Sequence, residues 1–326
     1  MATLLLDRAQ LEVRADGDAL ALYENGSRSG TVPLNLLDRV VIQGSHTRLD
    51  SGVLIRLAEC GVTTVLLSPR SSKRVAIVLG TAHNDAGVRL AQAQRVMDRA
   101  FCATWGRDLV RAKLRRQLLL LDSALDQRPD ARKPLRDARA SVERIARTLD
   151  DQELAAESLR GLEGSAARAY FQGLVAITPP TLEFSGRNRR PPRDPVNACL
   201  SLAYTMLHFE AVRTAHAAGL DPLLGLYHRP AFGRESLASD LIEPLRPWAD
   251  EWVWQLFRSR VLREDHFARD KGACLLGKAG RARFYADWET RAVAPRRWLR
   301  RRAAALGRVL RKQGEALLCT DADEEF

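Results

Sequence analysis

Cysteine is scarce in this chain and follows no pairing pattern. The five thiols, Cys60, Cys102, Cys199, Cys274 and Cys319, are odd in number and far apart, with no CxxC among them. That excludes a disulfide scaffold, a thiolate zinc knuckle and a dithiol redox motif, and it leaves reduced, buried thiols in a cytosolic protein as the expectation. No run of eighteen apolar residues occurs, so no transmembrane helix and no membrane partner are expected. The opening MATLLLDRAQ has no basic stretch and meets an acid at Asp7, so it does not read as a secretory signal. A Walker loop, GxGxxG, HExxH, GxSxG and an EF-hand loop are all missing, and with them the sequence marks of nucleotide, zinc-protease, serine-hydrolase and calcium chemistry. There is no internal repeat and no low-complexity block.

Lysine is also rare, at six of 51 basic residues, and the net charge of +11 is therefore carried by arginine. A GC-rich genome accounts for the Arg/Lys ratio but not for where the charge lies. Residues 1–84 hold nine basic and eight acidic side chains, whereas the rest of the chain holds 42 and 32. Arginine forks match phosphate oxygens two at a time, so the excess points to a polyanionic partner for the second part.

The two parts also differ in grain. Residues 1–84 read as short strands (LLLDRAQLEVRAD, ALALYEN, GSRSGTVPL, RVVIQG, GVTTVLLS, RVAIVLG), with hairpin signals at Asp16-Gly17 and Asn25-Gly26 and one short helix over 50–61. Beyond residue 85 the spacing is helical. Asn84 is placed to cap a long helix with Met97, Phe101, Trp105 and Leu109 on one face. Further helices are expected near 136–149, 152–173, 195–218, 236–263 and 296–316. The fold class is thus α+β in two domains: a small β-rich domain over 1–84, then a larger all-helical domain over 85–316. Residues 317–326, ending DADEEF, form an acidic tail expected to be disordered. The loop over 184–195 carries Arg187, Arg189 and Arg190 and reads as a flexible phosphate contact. Arginines 296, 297, 300, 301 and 302 read as a cationic helix end.

Candidate chemistry lies in three stretches. In HRPAFGRESLASDLIEPLR (228–246), His228 precedes Asp240 and Glu243, whose i, i+3 spacing lets both acids point at one place on a helix. As a simple alternative, both are first-turn carboxylates favoured by the helix dipole. Crowding by Leu241, Ile242 and Leu245 fits Glu243 to that alternative poorly. Glu163, between Gly161 and Gly164, is either an exposed glutamate on a kinked helix or an acid where small residues let other backbones approach. Carboxylates and imidazole without thiolate suit Mg²⁺ or Mn²⁺ and phosphodiester chemistry, with Arg229 and Arg246 at hand for phosphate oxygens.

Taken together, LRGLEGSAARAYF (159–171), DPVNACLSLAYTML (194–207) and GLYHRPAFGRESLASDLIEPLRP (225–247) closely resemble the motifs of the CRISPR-associated endonuclease/integrase family of spacer acquisition, the "Cas one" family. The resemblance spans nearly the whole chain. It implies that Glu163, His228 and Glu243 hold one divalent ion; many members have Asp at the third position, and Glu reaches about one methylene further. It leaves Asp240 as a ligand, an orienting group or a catalytic helper, and makes Asn197 and Tyr204 supports of the site. It also implies a prokaryotic cytoplasmic protein in which the N-terminal domains form a homodimer. Two such dimers would flank a dimer of a small CRISPR adaptation partner in a heterohexamer on double-stranded DNA. There the 3′-OH of a captured fragment attacks a phosphodiester of the CRISPR repeat. With that reading, Arg187, Arg189, Arg190, Arg229, Arg246, Arg297 and Arg301 are the expected DNA contacts. Two alternatives stand beside it, an integrase of a related mobile element and a non-catalytic architectural DNA-binding protein.

Overall fold

The computed structural model describes residues 2–7, 10–43, 46–68, 74–80, 85–151, 156–188 and 191–319. Its internal contacts group into two compact units, Met1–Asn84 and Asp85–Phe326.

The first unit holds two four-stranded sheets. One runs β1 (Ala2–Leu6), β5 (Leu37–Ile42), β7 (Thr63–Leu67), β8 (Arg74–Val78), with only the last pair antiparallel. The other is β4 (Ser27–Pro33), β3 (Ala19–Glu24), β2 (Leu11–Asp16) and the short β6 (Arg48–Leu49), which joins β2 in parallel. In the first sheet β5 is central and reads LDRVVI, a β-branched run buried along most of its length, as expected of a strand covered on both faces. Helix α1 (Ser51–Glu59) links the sheets. Asp50 caps it by accepting from the Val53 amide at 2.8 Å, and Gly61, at φ +68°, takes the chain out of it. Leu11, Val13, Leu20, Val40, Val53 and Leu57 belong to the unit's shared core. The hairpin signals differ in outcome. Asn25 and Gly26 both take positive φ, whereas the first loop consists of Gly17 and Asp18 with only Gly17 positive, which places the glycine first.

The second unit comprises α2 (Ala86–Met97), α3 (Arg99–Gln127), α4 (Arg132–Asp151), α5 (Ala156–Ile177), α6 (Pro195–Ala217), α7 (Ser236–Ile242), α8 (Arg246–Arg258), α9 (Lys278–Arg291) and α10 (Val293–Cys319). It is not all-helical. The strands β9 (Phe267–Asp270) and β10 (Ala273–Leu276) form an antiparallel hairpin, whose two-residue loop, Lys271-Gly272, has both residues at positive φ. The long helix expected from residue 84 is two helices. Asp98 leaves helical geometry at ψ 101° and caps α3 through the Phe101 amide at 3.0 Å, while Met97 is left exposed. The cap of α2 is Asp85; Asn84 lies outside the described residues. Helix α6 begins with Asp194 as cap and Pro195 in the first turn and is buried nearly all round, so it runs through the core. Helix α3 packs on α4, on α5 and on a single 3-10 turn, Glu243–Leu245, inserted between α7 and α8. That three-way contact positions the site. The acidic end from residue 320 lies outside the described residues, and residues 317–319 belong to α10.

Candidate active site

Glu163, His228 and Glu243 come from α5, the loop before α7 and the 3-10 turn. They line one cleft of about 250 Å³ together with Lys113, Arg160, Arg187, Tyr204, Arg234, Arg246 and Asp250. At its floor the Lys113 ammonium donates to Glu163 Oε1 at 2.5 Å and to Glu243 Oε2 at 2.7 Å. The other oxygen of Glu243 accepts from Arg246 Nε at 2.7 Å, and the other oxygen of Glu163 accepts from the Tyr227 hydroxyl at 2.5 Å. Burial by itself would raise the Glu243 carboxyl, but Arg246 and Lys113 outweigh it and hold the group well below the ordinary carboxylate range. For Lys113, burial would lower the ammonium; Glu243 and Glu163 outweigh that and raise it, so it stays charged. Burial first, and the Glu163 carboxylate second, push Tyr227 up, which keeps it a donor.

Asp240 and Glu243 do not aim at the same place. Asp240 is fully buried behind the cleft and accepts from the amides of Leu226, Tyr227 and His228 at 2.7, 2.9 and 2.9 Å. Its Oδ1 also meets His228 Nδ1 at 2.7 Å. With four partners on two oxygens it has no capacity left for a ligand, and it fixes the imidazole so that Nε2 is the nitrogen available on the cleft side. The chain switches from α7 to the 3-10 turn at Glu243, which separates the two acids.

Of the two readings of the glycines beside Glu163, close approach of another backbone does not hold. A Cβ added at Gly161 or Gly164 would meet nothing within 4 Å, and of the two Gly164 lines the cleft. The tight approaches are elsewhere. A Cβ on Gly106 would lie 2.7 Å from the Tyr227 ring, and one on Gly225 would lie 2.4 Å from the His228 carbonyl oxygen.

Tyr204 lies under two guanidiniums, Arg246 at 4.6 Å and Arg187 at 5.3 Å from its ring centre, and its hydroxyl donates to Asp250. Asn197 is buried below the cleft and holds the Arg187 loop. It accepts from Arg187 at 2.8 Å and from the Asn188 amide at 3.0 Å, and it donates to the Gly186 carbonyl at 2.8 Å. Arg187 is thereby drawn inward instead of extending from a free loop. Arg189 and Arg190 lie outside the described residues. Arg229 is exposed on the loop beside His228, and Arg297 and Arg301 are exposed on α10, outside the cleft lining. Arg296 does not join the cationic helix end; it is buried against Glu210 and Glu289. Of the thiols, Cys199 and Cys274 are buried but Cys60 is exposed.

Lys113 and Tyr227 carry the site's geometry without having been marked by sequence reasoning. A signal for Lys113 existed, because it sits within the buried stripe Val110, Leu114, Gln117 and Leu121 of α3, where a lysine needs a partner. Among the described residues, no three His, Cys, Asp or Glu side chains already stand together as a metal shell. The donor set nonetheless suits a hard divalent ion: two carboxylates from separate elements, held near each other by a cation, and an imidazole oriented by a carboxylate. No helix among the described residues is long and apolar enough to cross a membrane.

Comparison with known proteins gives a consistent set of likenesses. Residues 4–290 match the family model described as CRISPR associated protein Cas1. The chain is 35% identical over 291 residues to "CRISPR-associated endonuclease Cas1 1" of Thermodesulfovibrio yellowstonii, covering 89% of this chain and 91% of that protein. Among solved structures it superposes on "Casposase bound to integration product" with a TM-score of 0.82 at 20% identity, covering 96% of this chain and 91% of the other. It also superposes on the "Cas6-RT-Cas1–Cas2 complex" with a TM-score of 0.78 at 23% identity, covering 96% of this chain and 35% of that one.

Proposed function

The chain belongs to the CRISPR-associated Cas1 family, and on that premise we propose that it is a divalent-metal-dependent DNA endonuclease and integrase that joins captured DNA fragments to a CRISPR repeat. The observation that carries this reading is the convergence of Glu163, His228 and Glu243, from three distant stretches, on one arginine-lined cleft. Glu163 and Glu243 through carboxylate oxygens, and His228 through Nε2, would hold Mg²⁺ or Mn²⁺. When bound, the ion polarises the scissile phosphate and offsets charge on the attacking and leaving oxygens.

The chain's own groups bind and orient. Arg160, Arg187, Arg234 and Arg246 line the cleft and pair with phosphate oxygens, and Tyr204 supports two of these guanidiniums from below. Asp240 keeps the proton on His228 Nδ1 and the imidazole fixed. In the joining step a 3′-hydroxyl oxygen forms a bond to phosphorus while the repeat strand's P–O3′ bond breaks. One proton leaves the attacking hydroxyl and one is taken up by the departing 3′-oxygen. The number of phosphodiester bonds is unchanged, so no energy source is needed; with water as nucleophile the same site cleaves. The partners this reading calls for are double-stranded DNA, a second copy of the chain, and a small adaptation protein of the Cas2 kind in a heterohexamer.

The test is strand transfer of a labelled duplex into a repeat-containing target, with Mg²⁺ or Mn²⁺ and with or without the small partner. The expected product forms with metal, disappears with chelator, and is lost in Glu163→Ala, His228→Ala and Glu243→Ala while duplex binding persists. Full joining in any two of the three variants would overturn the assignment. Binding with no joining or cleavage under either metal would leave an architectural protein.

A further inference from the structure

The cleft's charge is balanced against a metal ion before any DNA arrives. Five cationic side chains line it, Lys113, Arg160, Arg187, Arg234 and Arg246, against three acids, Glu163, Glu243 and Asp250. One of the five is placed differently from the rest. The Lys113 ammonium touches both carboxylates of the ligand set, at 2.5 and 2.7 Å, with its side chain only 12% exposed. It thus stands where a cation bridging those two carboxylates would stand. Arginine fills neighbouring roles through a broad planar fork, whereas an ammonium is a compact point charge on a four-carbon stem that can swing away.

We propose that Lys113 is a resident stand-in cation that makes metal binding conditional on DNA. This rests on the metal-dependent reading above. To seat a divalent ion, the lysine must leave the two carboxylates. The ion then adds two positive charges to a cleft whose lining is already positive on balance. Like charges at these separations repel strongly in a partly buried site. DNA phosphates supply the missing negative charge and give the displaced ammonium an oxygen partner. Metal and DNA therefore tighten each other's binding, by equal factors because linkage is reciprocal. Without DNA the lysine keeps the carboxylates paired and the metal off.

The experiment measures Mn²⁺ affinity from the paramagnetic resonance of free Mn²⁺, with and without a short duplex, for the full chain and for Lys113→Met. In the natural chain the duplex tightens Mn²⁺ about tenfold or more. In Lys113→Met, Mn²⁺ binds about tenfold more tightly without DNA and the duplex adds little. The melting temperature of metal-free Lys113→Met falls, because the two carboxylates lose the ammonium that bridges them and Glu243 keeps only Arg246, and Mn²⁺ raises it by more than in the natural chain. Lys113→Arg keeps the charge and stays weak for Mn²⁺ without DNA. Should the methionine variant not fold, Lys113→Gln, which still donates to one carboxylate, gives the same readout. Unchanged Mn²⁺ affinity in the charge-removing variants, with affinity still lost in Glu163→Ala, overturns the stand-in role and leaves the metal site intact. Mn²⁺ affinity insensitive to Glu163→Ala as well overturns the metal site itself.

Discussion

Arg296 is pressed between Glu210, at 2.5 Å, and Glu289, at 2.8 and 3.0 Å, while Arg213 also reaches Glu210 at 3.3 Å. Lys113 is pressed between Glu163 and Glu243 in the same helical unit. Both are cations held by two glutamates from different elements, and in both the pairing outweighs burial and raises the cation. They differ in what the cation is and what lies beyond it. Arg296 fits its fork to both oxygens of Glu289 and is 7% exposed, so the cluster is closed and its geometry is fixed. Lys113 makes single-point contacts at the floor of a cleft edged with arginine. A buried ion pair is therefore no sign of function by itself; one whose cation can be exchanged, beside an opening, is.

Substitutions at the two clusters separate their roles. The largest expected effect is in the cleft: Glu163→Ala or Glu243→Ala lowers strand transfer by about 10³-fold or more with duplex binding kept within a few-fold, read in single-turnover assays. Residual joining above one per cent would merge the two clusters into one structural class. Arg296→Ala leaves the buried Glu210 with Arg213 as its remaining guanidinium and takes the fork from half-buried Glu289, and it lowers stability by roughly 3 kcal/mol in urea denaturation, while activity per folded molecule is retained. Asp240→Asn keeps the shape but places an amide group where three backbone amides donate, and so loosens His228. Activity falls about 10–100-fold with DNA affinity unchanged, and a loss confined to DNA affinity would count against an orienting role.

A pH difference sharpens the comparison further. Burial raises the Asp250 carboxyl to about 6 against the opposing hydrogen bonds of Tyr204 and Tyr170. Its folded-state value lies above the ordinary 3.8, so the native protein takes up this proton first on acidification. The contribution to stability grows as pH falls through about 6 and is lost as pH rises through it. Stability relative to Asp250→Asn should therefore rise by about 1 kcal/mol from pH 7 to pH 5, read by urea denaturation of both proteins. Parallel profiles would place an ionised carboxylate there throughout. The smallest effect belongs to α10, where Arg297→Ala or Arg301→Ala reduces the slope of log affinity against log salt by about 1, evenly across DNA sequences.

Much of the fold was legible because its signals are local. Alternating apolar strands between turn residues marked β2 to β5 and β7, and helical spacing over 195–218 marked α6. The β9–β10 hairpin escaped because its strands are four residues each and mix charge with apolar groups, although Lys271-Gly272 is a two-residue turn with both φ positive. The break between α2 and α3 escaped because it uses neither glycine nor proline. Asp98 looks like any other polar residue in a charged helix until its side chain is seen capping the next one. In the site, Glu163, His228 and Glu243 stood in motifs that could be read together. Lys113 stood alone among the arginines of α3, and its partners are 50 and 130 residues away. Tyr227 was hidden by its neighbour His228, which drew attention to imidazole chemistry. No spacing rule links a residue to partners brought in by tertiary packing.

Gly106 has a consequence for the inheritance of variation in this protein. It bears no side chain, lies on a helix remote in sequence from every motif, and would pass as a neutral position in a mutational map. Yet a methyl group there would sit 2.7 Å from the Tyr227 ring and 3.3 Å from Leu159. Any substitution therefore pushes the phenol away from Glu163. A methyl group there overpacks a buried contact and lowers stability, and a screen that scores insertion into DNA would group Gly106 with the acids.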